Sequence, residues 1–275
     1  MTSDSRPARP QTILTVQETE WINPHTVRLI AGGPGYAAFQ DKDATDKYVK
    51  IYFTRPELGL EPPYDMAALR EVLPPEDLPT TRTYTVRWSD PAAQRLAIDF
   101  VVHGNEGLAG PWAVSATPGD RLVFGDPGGQ YAPDPAAERH LFVGDDSAVP
   151  AIAAALEALP ADAQGDVLLE VDGPEDCISL VKPEGLRVQW LYRDGAVPGT
   201  QPLLPEAVSR LEWQAEGTQI FAHGERGAMK SLRSIFKERG VTRDQLSLSA
   251  YWALGRDELR FQAEKREPVG VIAPV

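Results

Sequence analysis

Residues 140–159 read HLFVGDDSAVPAIAAALEAL. The opening HLFVG is a short apolar run, the mark of a strand buried on both faces, and the alanine-rich stretch behind it has the length and composition of a helix. Downstream the same alternation continues. DVLLEV (166–171) and LRVQWLY (186–192) read as strands, a helical segment lies near Pro205 to Leu211, TQIFAHG (218–224) reads as a strand, a helix runs from about Glu225 to Arg239, and LSLSAYW (246–252) is a further strand. Strands that alternate with helices predict βαβ units and a parallel sheet. The last segment, RDELRFQAEKRE (256–267), predicts a charged helix on the surface.

Upstream the texture differs. From Gln11 to Tyr131 the chain carries β-type runs separated by Gly, Pro and Asp: ILTVQETEW (13–21), HTVRLIA (25–31), YVKIYFTR (48–55), RTYTVRW (82–88), RLAIDFVVH (95–103) and DRLVFG (120–125). Regular strands with turn residues between them predict an antiparallel sandwich or barrel. The Pro- and Glu-rich stretch from Pro56 to Pro79 reads as a surface excursion with a short helix around Met66 to Val72. Pro133-Asp134-Pro135 reads as a hinge. The expected organisation is a flexible N-terminus over 1–10, a β-barrel over 11–135, and a nucleotide-type α/β domain over 136–275.

Composition narrows the function. The 275 residues hold 27 Lys and Arg against 40 Asp and Glu, a net charge of −13 that repels phosphate backbones and anionic lipid and so argues against nucleic acid. A single cysteine, Cys177, excludes an internal disulfide and a cysteine-rich metal site, and the four histidines include no helical pair spaced for a metal. No apolar run approaches the roughly 20 residues needed to span a bilayer, and MTSDSRPARP is unlike a secretory signal. The expectation is a cytoplasmic protein without membrane insertion, and nothing demands more than a monomer.

Four stretches could carry chemistry. On the strand Arg82-Thr83-Tyr84-Thr85-Val86-Arg87, period-two geometry puts Arg82 and Tyr84 on one face and Thr85 and Arg87 on the other. Such an Arg can grip a phosphate while the ring covers an aromatic cofactor; alternatively, the Tyr merely caps the core. In His103-Gly104-Asn105-Glu106-Gly107-Leu108-Ala109-Gly110-Pro111-Trp112-Ala113, small residues free backbone N–H groups for an anion, with a helix start expected at Pro111. The alternative is a Gly-rich turn with Trp112 plugging the barrel. Gly144-Asp145-Asp146-Ser147-Ala148 lies between strand and helix, where ligands of α/β sheets bind, although the acids could simply start the helix. His223-Gly224-Glu225-Arg226-Gly227 is again strand to helix, or a plain Gly turn. The G-x-G-x-x-G fingerprint is absent, and so is a G-x-S-x-G elbow for hydrolysis.

Taken in order, these segments resemble the siderophore-interacting proteins, flavin-dependent ferric-siderophore reductases, from about Thr12 to Arg266. Besides RTYTVR the resemblance rests on Asp46-Lys47-Tyr48-Val49-Lys50-Ile51, the HG…GPWA loop, GDDSAVPAI, HGE before a helix, and AYWALGR. Tyr48 stands where the family often has His, and Pro111-Trp112 replaces a longer loop. The resemblance implies an FAD-binding barrel joined to an NAD(P)-binding α/β domain. It places Arg82 on the phosphate-bearing part of the flavin, Tyr84 on its ring or ribityl chain, and Thr85 near N5. His103 and the loop Ala109, Gly110, Trp112 and Ala113 would border the pyrophosphate. Gly144, Asp145, Ser147 and Ala148 would border the nicotinamide dinucleotide, with Gly224 and Glu225 at the hydride-transfer face and Trp252 beside the flavin. Thr85 and Glu225 are the catalytic candidates.

The implied reaction passes electrons from NADPH or NADH through FAD to Fe(III) in a ferric siderophore, with no protein metal ligand needed. An anionic chelate would need a local positive patch, for which Lys50 and Arg256 are candidates. Lys47, three residues away on the strand, would face the other side. For the donor, Glu170-Val171-Asp172 favours a ribose 2′-hydroxyl, whereas Arg193 could receive a 2′-phosphate; both stay open. Other readings are a flavin reductase with a protein acceptor and a non-catalytic ferric-chelate-binding protein.

Overall fold

The computed structural model describes residues 10–104 and 107–275. The flexible segment expected over 1–10 therefore lies, except for Pro10, outside the described residues, as do Asn105 and Glu106 of the Gly-rich loop. A first compact unit ends at Gln130 and a second runs from Tyr131 to Val275. Pro133-Asp134-Pro135 belongs to the second unit, where the Asp134 amide donates to Gln219 Oε1 and Gln219 Nε2 donates to the Ala132 carbonyl.

The first unit is built from β1 (Gln11–Asn23), β2 (Thr26–Gly32), β3 (Tyr48–Phe53), α1 (Met66–Val72), β4 (Thr80–Asp90), β5 (Arg95–Val101), α2 (Ala109–Ser115) and β6 (Arg121–Gly125). Among the described residues its strands close into an antiparallel barrel in the order β1-β2-β5-β4-β3-β6. The alternation seen in the sequence is what fills it. Leu14 and Val16, Val27 and Leu29, Val49 and Ile51, Ile98 and Phe100, and Leu122 and Phe124 all point inward and are buried. Turn chemistry sets the hairpins: Asn23 Oδ1 accepts the His25 amide between β1 and β2, and Asp90 Oδ1 accepts the Ala93 amide between β4 and β5. The excursion after β3 holds α1, capped by Asp65, which accepts from the amides of Ala67 and Ala68.

The second unit holds β7 (Arg139–Asp145), α3 (Val149–Ala158), β8 (Gly165–Val171), β9 (Leu186–Tyr192), α4 (Leu203–Arg210), β10 (Thr218–Glu225), α5 (Arg226–Glu238), β11 (Leu246–Trp252) and α6 (Glu258–Glu264). Its strands are all parallel, in the order β11-β10-β7-β8-β9. The chain first winds outward from β7 to β8 and β9, then returns to place β10 on the other side of β7. That reversal makes the carboxyl ends of β7 and β10 the topological switch point, where ligands of such sheets bind. Helix α5 shows why the pattern reads as helical: Met229, Leu232 and Phe236 fall on one face and are buried, and Gly240 at φ 78° follows its end.

Two expectations need correction. Helix α2 begins at Ala109 rather than at Pro111, because Ala109, Gly110 and Ala113 pack into the barrel and draw the first turn inward. Helix α6 is not a purely surface element: Phe261 and Glu264 are buried, and it covers only 258–264.

Candidate functional site

On the barrel, register fixes which way the Arg-x-Tyr pair faces. Arg82 lies opposite Ile51 and Tyr84 opposite Val49, both core positions, so Arg82 and Tyr84 share the inward face of β4. Thr83 and Thr85 lie opposite Lys50 and Tyr48 on the outward face, where Lys50 and Tyr48 are exposed. The Tyr84 ring is half-buried against Phe100, with centroids 4.3 Å apart. Arg82 is half-buried and donates from Nη1 to the Thr81 carbonyl at 2.9 Å. No carboxylate pairs with it among the described residues, notable in so acidic a chain, so its fork is uncommitted toward a phosphate. Thr85 is buried on the outer face. Beyond Val86 a bulge shifts the register with β5.

The Gly-rich loop is more structural than its composition implied. Trp112 packs edge-on against Phe53, centroids 5.3 Å apart, and tilts against Phe100 at 5.9 Å, so it closes the barrel core. Ala109, Gly110 and Ala113 are buried beneath it, whereas His103 is exposed at the loop's start. Lys47 is held by Asp41 at 2.6 Å.

At the strand tips of the second unit the predicted residues do come together. Gly144 is a glycine for space: a Cβ there would sit 2.6 Å from Ala148 Cβ and 3.1 Å from the His223 carbonyl oxygen. Gly224, at φ 153°, leaves no room either, since its Cβ would meet Asp145 Oδ2 at 2.6 Å. Asp145 ties three elements into one knot. Its Oδ1 accepts from the Ser147 amide at 3.0 Å and hydroxyl at 2.5 Å, and its Oδ2 from the Glu225 amide and the Trp252 indole, each at 2.8 Å. Burial pushes the Asp145 carboxyl up, against the pull of these donors.

Glu225, the second catalytic candidate, is a helix cap. Its Oε2 accepts from the amides of Gly227 and Ala228 at the start of α5, and its Oε1 from the Leu254 amide at 3.1 Å. A carboxylate engaged by backbone donors in this way positions the neighbouring chain rather than moving protons. His223 is a core residue: its ring stacks on Phe221 at 3.8 Å, Nε2 meets Ser247 Oγ at 3.0 Å, and burial lowers its pKa to about 3. The imidazole is neutral.

Two arginine clusters were not legible in the sequence. Buried Glu264 takes Arg226 Nη1 at 2.7 Å, Arg256 Nε at 2.6 Å and Arg260 Nε at 3.0 Å. Arg256 is thereby engaged away from a substrate role, its Nη1 donating to the Gly255 carbonyl as well. Arg193 is likewise not open to solvent, but buried among Asp146, Glu170 and Asp172. The only local hint was the acid content of Asp145-Asp146 and Glu170-Val171-Asp172, which does not say what neutralises it.

Residues 15–131 match the model of the siderophore-interacting FAD-binding domain, and residues 137–255 match that of siderophore-interacting protein. The chain belongs to this family. An uncharacterized protein of Mycobacterium tuberculosis is 43% identical over 94% of this chain and 96% of its own length. The ferric vibriobactin reductase ViuB of Vibrio cholerae is 34% identical over 92% of this chain and 93% of its own. Among solved structures, a siderophore utilization protein from T. fusca superposes with a TM-score of 0.78 at 35% identity, over 90% of this chain and 94% of that one. This siderophore-interacting protein thus has the FAD-binding reductase fold, and no helix of its described residues is long and apolar enough to cross a membrane.

Proposed function

We propose that this siderophore-interacting protein is a ferric-siderophore reductase that takes a hydride from a nicotinamide dinucleotide and returns its two electrons singly to two Fe(III) chelates. FAD, when bound, supplies the hydride-accepting and one-electron-donating chemistry; the protein binds, orients and shields. The observation that carries this reading is the uncommitted Arg82 beside the half-buried Tyr84 ring on β4. A forked cation next to an aromatic face fits a phosphate-bearing flavin, and the family match over 15–131 is to an FAD-binding domain.

In this reading Arg82 would hold a flavin phosphate and Tyr84 would pack on the ring or ribityl chain; Thr85, buried on the opposite face of β4, does not share their surface. The backbone of the loop from Ala109 to Ala113 lines the pyrophosphate, with His103 as a further cofactor contact. Gly144 and Gly224 let the strand tips pack closely at the switch point where the dinucleotide is received, with Ser147 and Ala148 at its border, while Asp145 and Glu225 fix Trp252 and the Leu254 turn. Exposed Lys50 supplies the positive charge that draws in an anionic chelate against a net charge of −13. Reduction releases the metal because Fe(II) binds hard oxygen donors far less tightly than Fe(III).

The test is an anaerobic absorbance titration of FAD-loaded protein. Bleaching of the flavin band by a dinucleotide, and its return on adding a ferric siderophore, is the expected result. A band that never bleaches would leave a chelate-binding protein or one fed by a protein partner. No flavin binding would overturn the role of Arg82 and Tyr84.

A further inference from the structure

The parallel tips of β7, β8 and β9 carry Asp145 and Asp146, Glu170 and Asp172, and Arg193 respectively. A dinucleotide seated at the switch point of such a sheet extends its adenosine ribose over neighbouring tips. There an acidic residue accepts from a 2′-hydroxyl, or an arginine receives a 2′-phosphate. Which of the two this chain offers depends on whether Arg193 is available.

It is not. The Arg193 side chain is 3% exposed, with Nη2 2.7 Å from Asp146 Oδ2, Nη1 3.6 Å from Glu170 Oε1 and Nε 3.9 Å from Asp172 Oδ1. Its Nε and Nη1 have no hydrogen-bond partner, so charge alone holds those atoms in place. The backbone is pinned as well: the Arg193 amide donates to the Val171 carbonyl and the Asp194 amide to that of Asp172. Turning the guanidinium outward to a phosphate would leave the buried Glu170 and the half-buried Asp146 without their cation, a costly arrangement. Burial already raises Glu170 to about 7 and Asp146 to about 6. Even with Glu170 protonated, Asp146 and Asp172 outnumber Arg193, and a dianionic 2′-phosphate would meet net negative charge. Asp172, 30% exposed, is by contrast a ready acceptor for a hydroxyl.

We propose that the acid cage around Arg193 selects NADH over NADPH, with Asp172 accepting the adenosine ribose 2′-hydroxyl. This rests on the reductase reading above, so the test separates the two. In stopped-flow reduction of the FAD-loaded protein, NADH should bleach the flavin at least about tenfold faster than NADPH at equal subsaturating concentration. Calorimetry with two redox-inert probes, 5′-AMP and 2′,5′-ADP, should show 5′-AMP bound at least as tightly. Asp172→Ala should weaken 5′-AMP binding severalfold and, by removing one of the acids that face a 2′-phosphate, should not weaken that of 2′,5′-ADP. Glu170→Gln with Asp146→Asn should free Arg193 and raise NADPH use about tenfold.

Equal or faster reduction by NADPH, or tighter binding of 2′,5′-ADP by the unaltered protein, overturns the selection. If neither dinucleotide bleaches the flavin while 5′-AMP still binds preferentially and through Asp172, the reductase reading fails but the cage's selectivity stands. Binding of neither probe overturns the cage's role at the adenosine ribose, whether or not a dinucleotide bleaches the flavin. The double variant touches the buried Glu170; should it fail to fold, Asp172→Ala at a half-buried position carries the test alone, and unchanged 5′-AMP affinity would remove the assigned contact.

Discussion

Replacing Glu170 by glutamine should stabilise the protein clearly above neutral pH and only slightly, by about 1 kcal/mol or less, at pH 5. Glu170 is buried at the tip of β8, and burial pushes its carboxyl from an ordinary 4.5 up to about 7, with Asp145 adding to the rise and Arg193 opposing it. A carboxyl raised on folding holds its proton more tightly in the native state than in the unfolded chain. Native stability is therefore greatest at low pH, falls as pH climbs from 4.5 through about 7, and levels off above. Each tenfold change in proton affinity between the two states corresponds to roughly 1.4 kcal/mol, so from pH 5 to pH 8 the loss through this group is on the order of 2–3 kcal/mol. Glutamine does not ionise, and its amide oxygen can still face Arg193. Urea unfolding of both proteins at pH 5, 6.5 and 8, followed by far-ultraviolet circular dichroism, reads the difference directly. The gap should be small at pH 5, about 1 kcal/mol or less, and open progressively in favour of the variant. A gap that stays constant across pH, or a variant that is less stable at pH 8, would mean that Arg193 compensates the ionised Glu170 fully and would refute the reasoning.

Arg82→Ala should weaken FAD binding by about ten- to a hundredfold, the worth of a charge-assisted hydrogen bond, as read by fluorescence quenching of free flavin. Glu225→Ala removes the acceptor for the first turn of α5 and for the Leu254 amide, and should cost on the order of 2 kcal/mol in thermal or urea unfolding; Glu225→Gln should cost less. Glu264 is drawn down to about 2, chiefly by Arg226, then Arg260, with burial opposing and Arg256 assisting. A lowered carboxyl stabilises above its unfolded value and loses that contribution as pH falls. Amide protection in residues 256–270, taken relative to intrinsic exchange rates, should accordingly fall between pH 4.5 and 2, and Glu264→Gln should show the lowered protection already at pH 7.

The strands were legible because alternation in the first unit and short apolar runs in the second are local signals, and the helix read over Met66 to Val72 is likewise local, capped by the adjoining Asp65. The site was legible only in part. The inward face of Arg82 and Tyr84 follows from period two, and Gly144 and Gly224 stand where strand gives way to helix. What the sequence hides is contact between distant tips. Parallel register sets Asp145 beside Glu170 and Val171 beside Tyr192, and so delivers Arg193 into carboxylates contributed by two other strands. Read alone, Arg193 looks like a phosphate ligand and Arg256 like a substrate contact, since nothing in their neighbourhoods announces Asp146 or Glu264 as partners. Glu225 is the opposite case: an acid just ahead of a helix is a local capping pattern, visible in Glu225-Arg226-Gly227-Ala228 but masked by its place at the tip of a strand, where a catalytic group is also expected.

The indole of Trp252 makes the strand tips optically visible. Its N–H rests on the same Asp145 oxygen that accepts the Glu225 amide, so its emission follows the electric field at that oxygen. A molecule that displaces water or brings charge beside the carboxylate changes that field and with it the emission wavelength. The difference spectrum between the unaltered protein and Trp252→Phe therefore isolates one native fluorophore at the sheet's switch point. Nucleotide arrival can be watched there without a label, and in protein that carries no flavin.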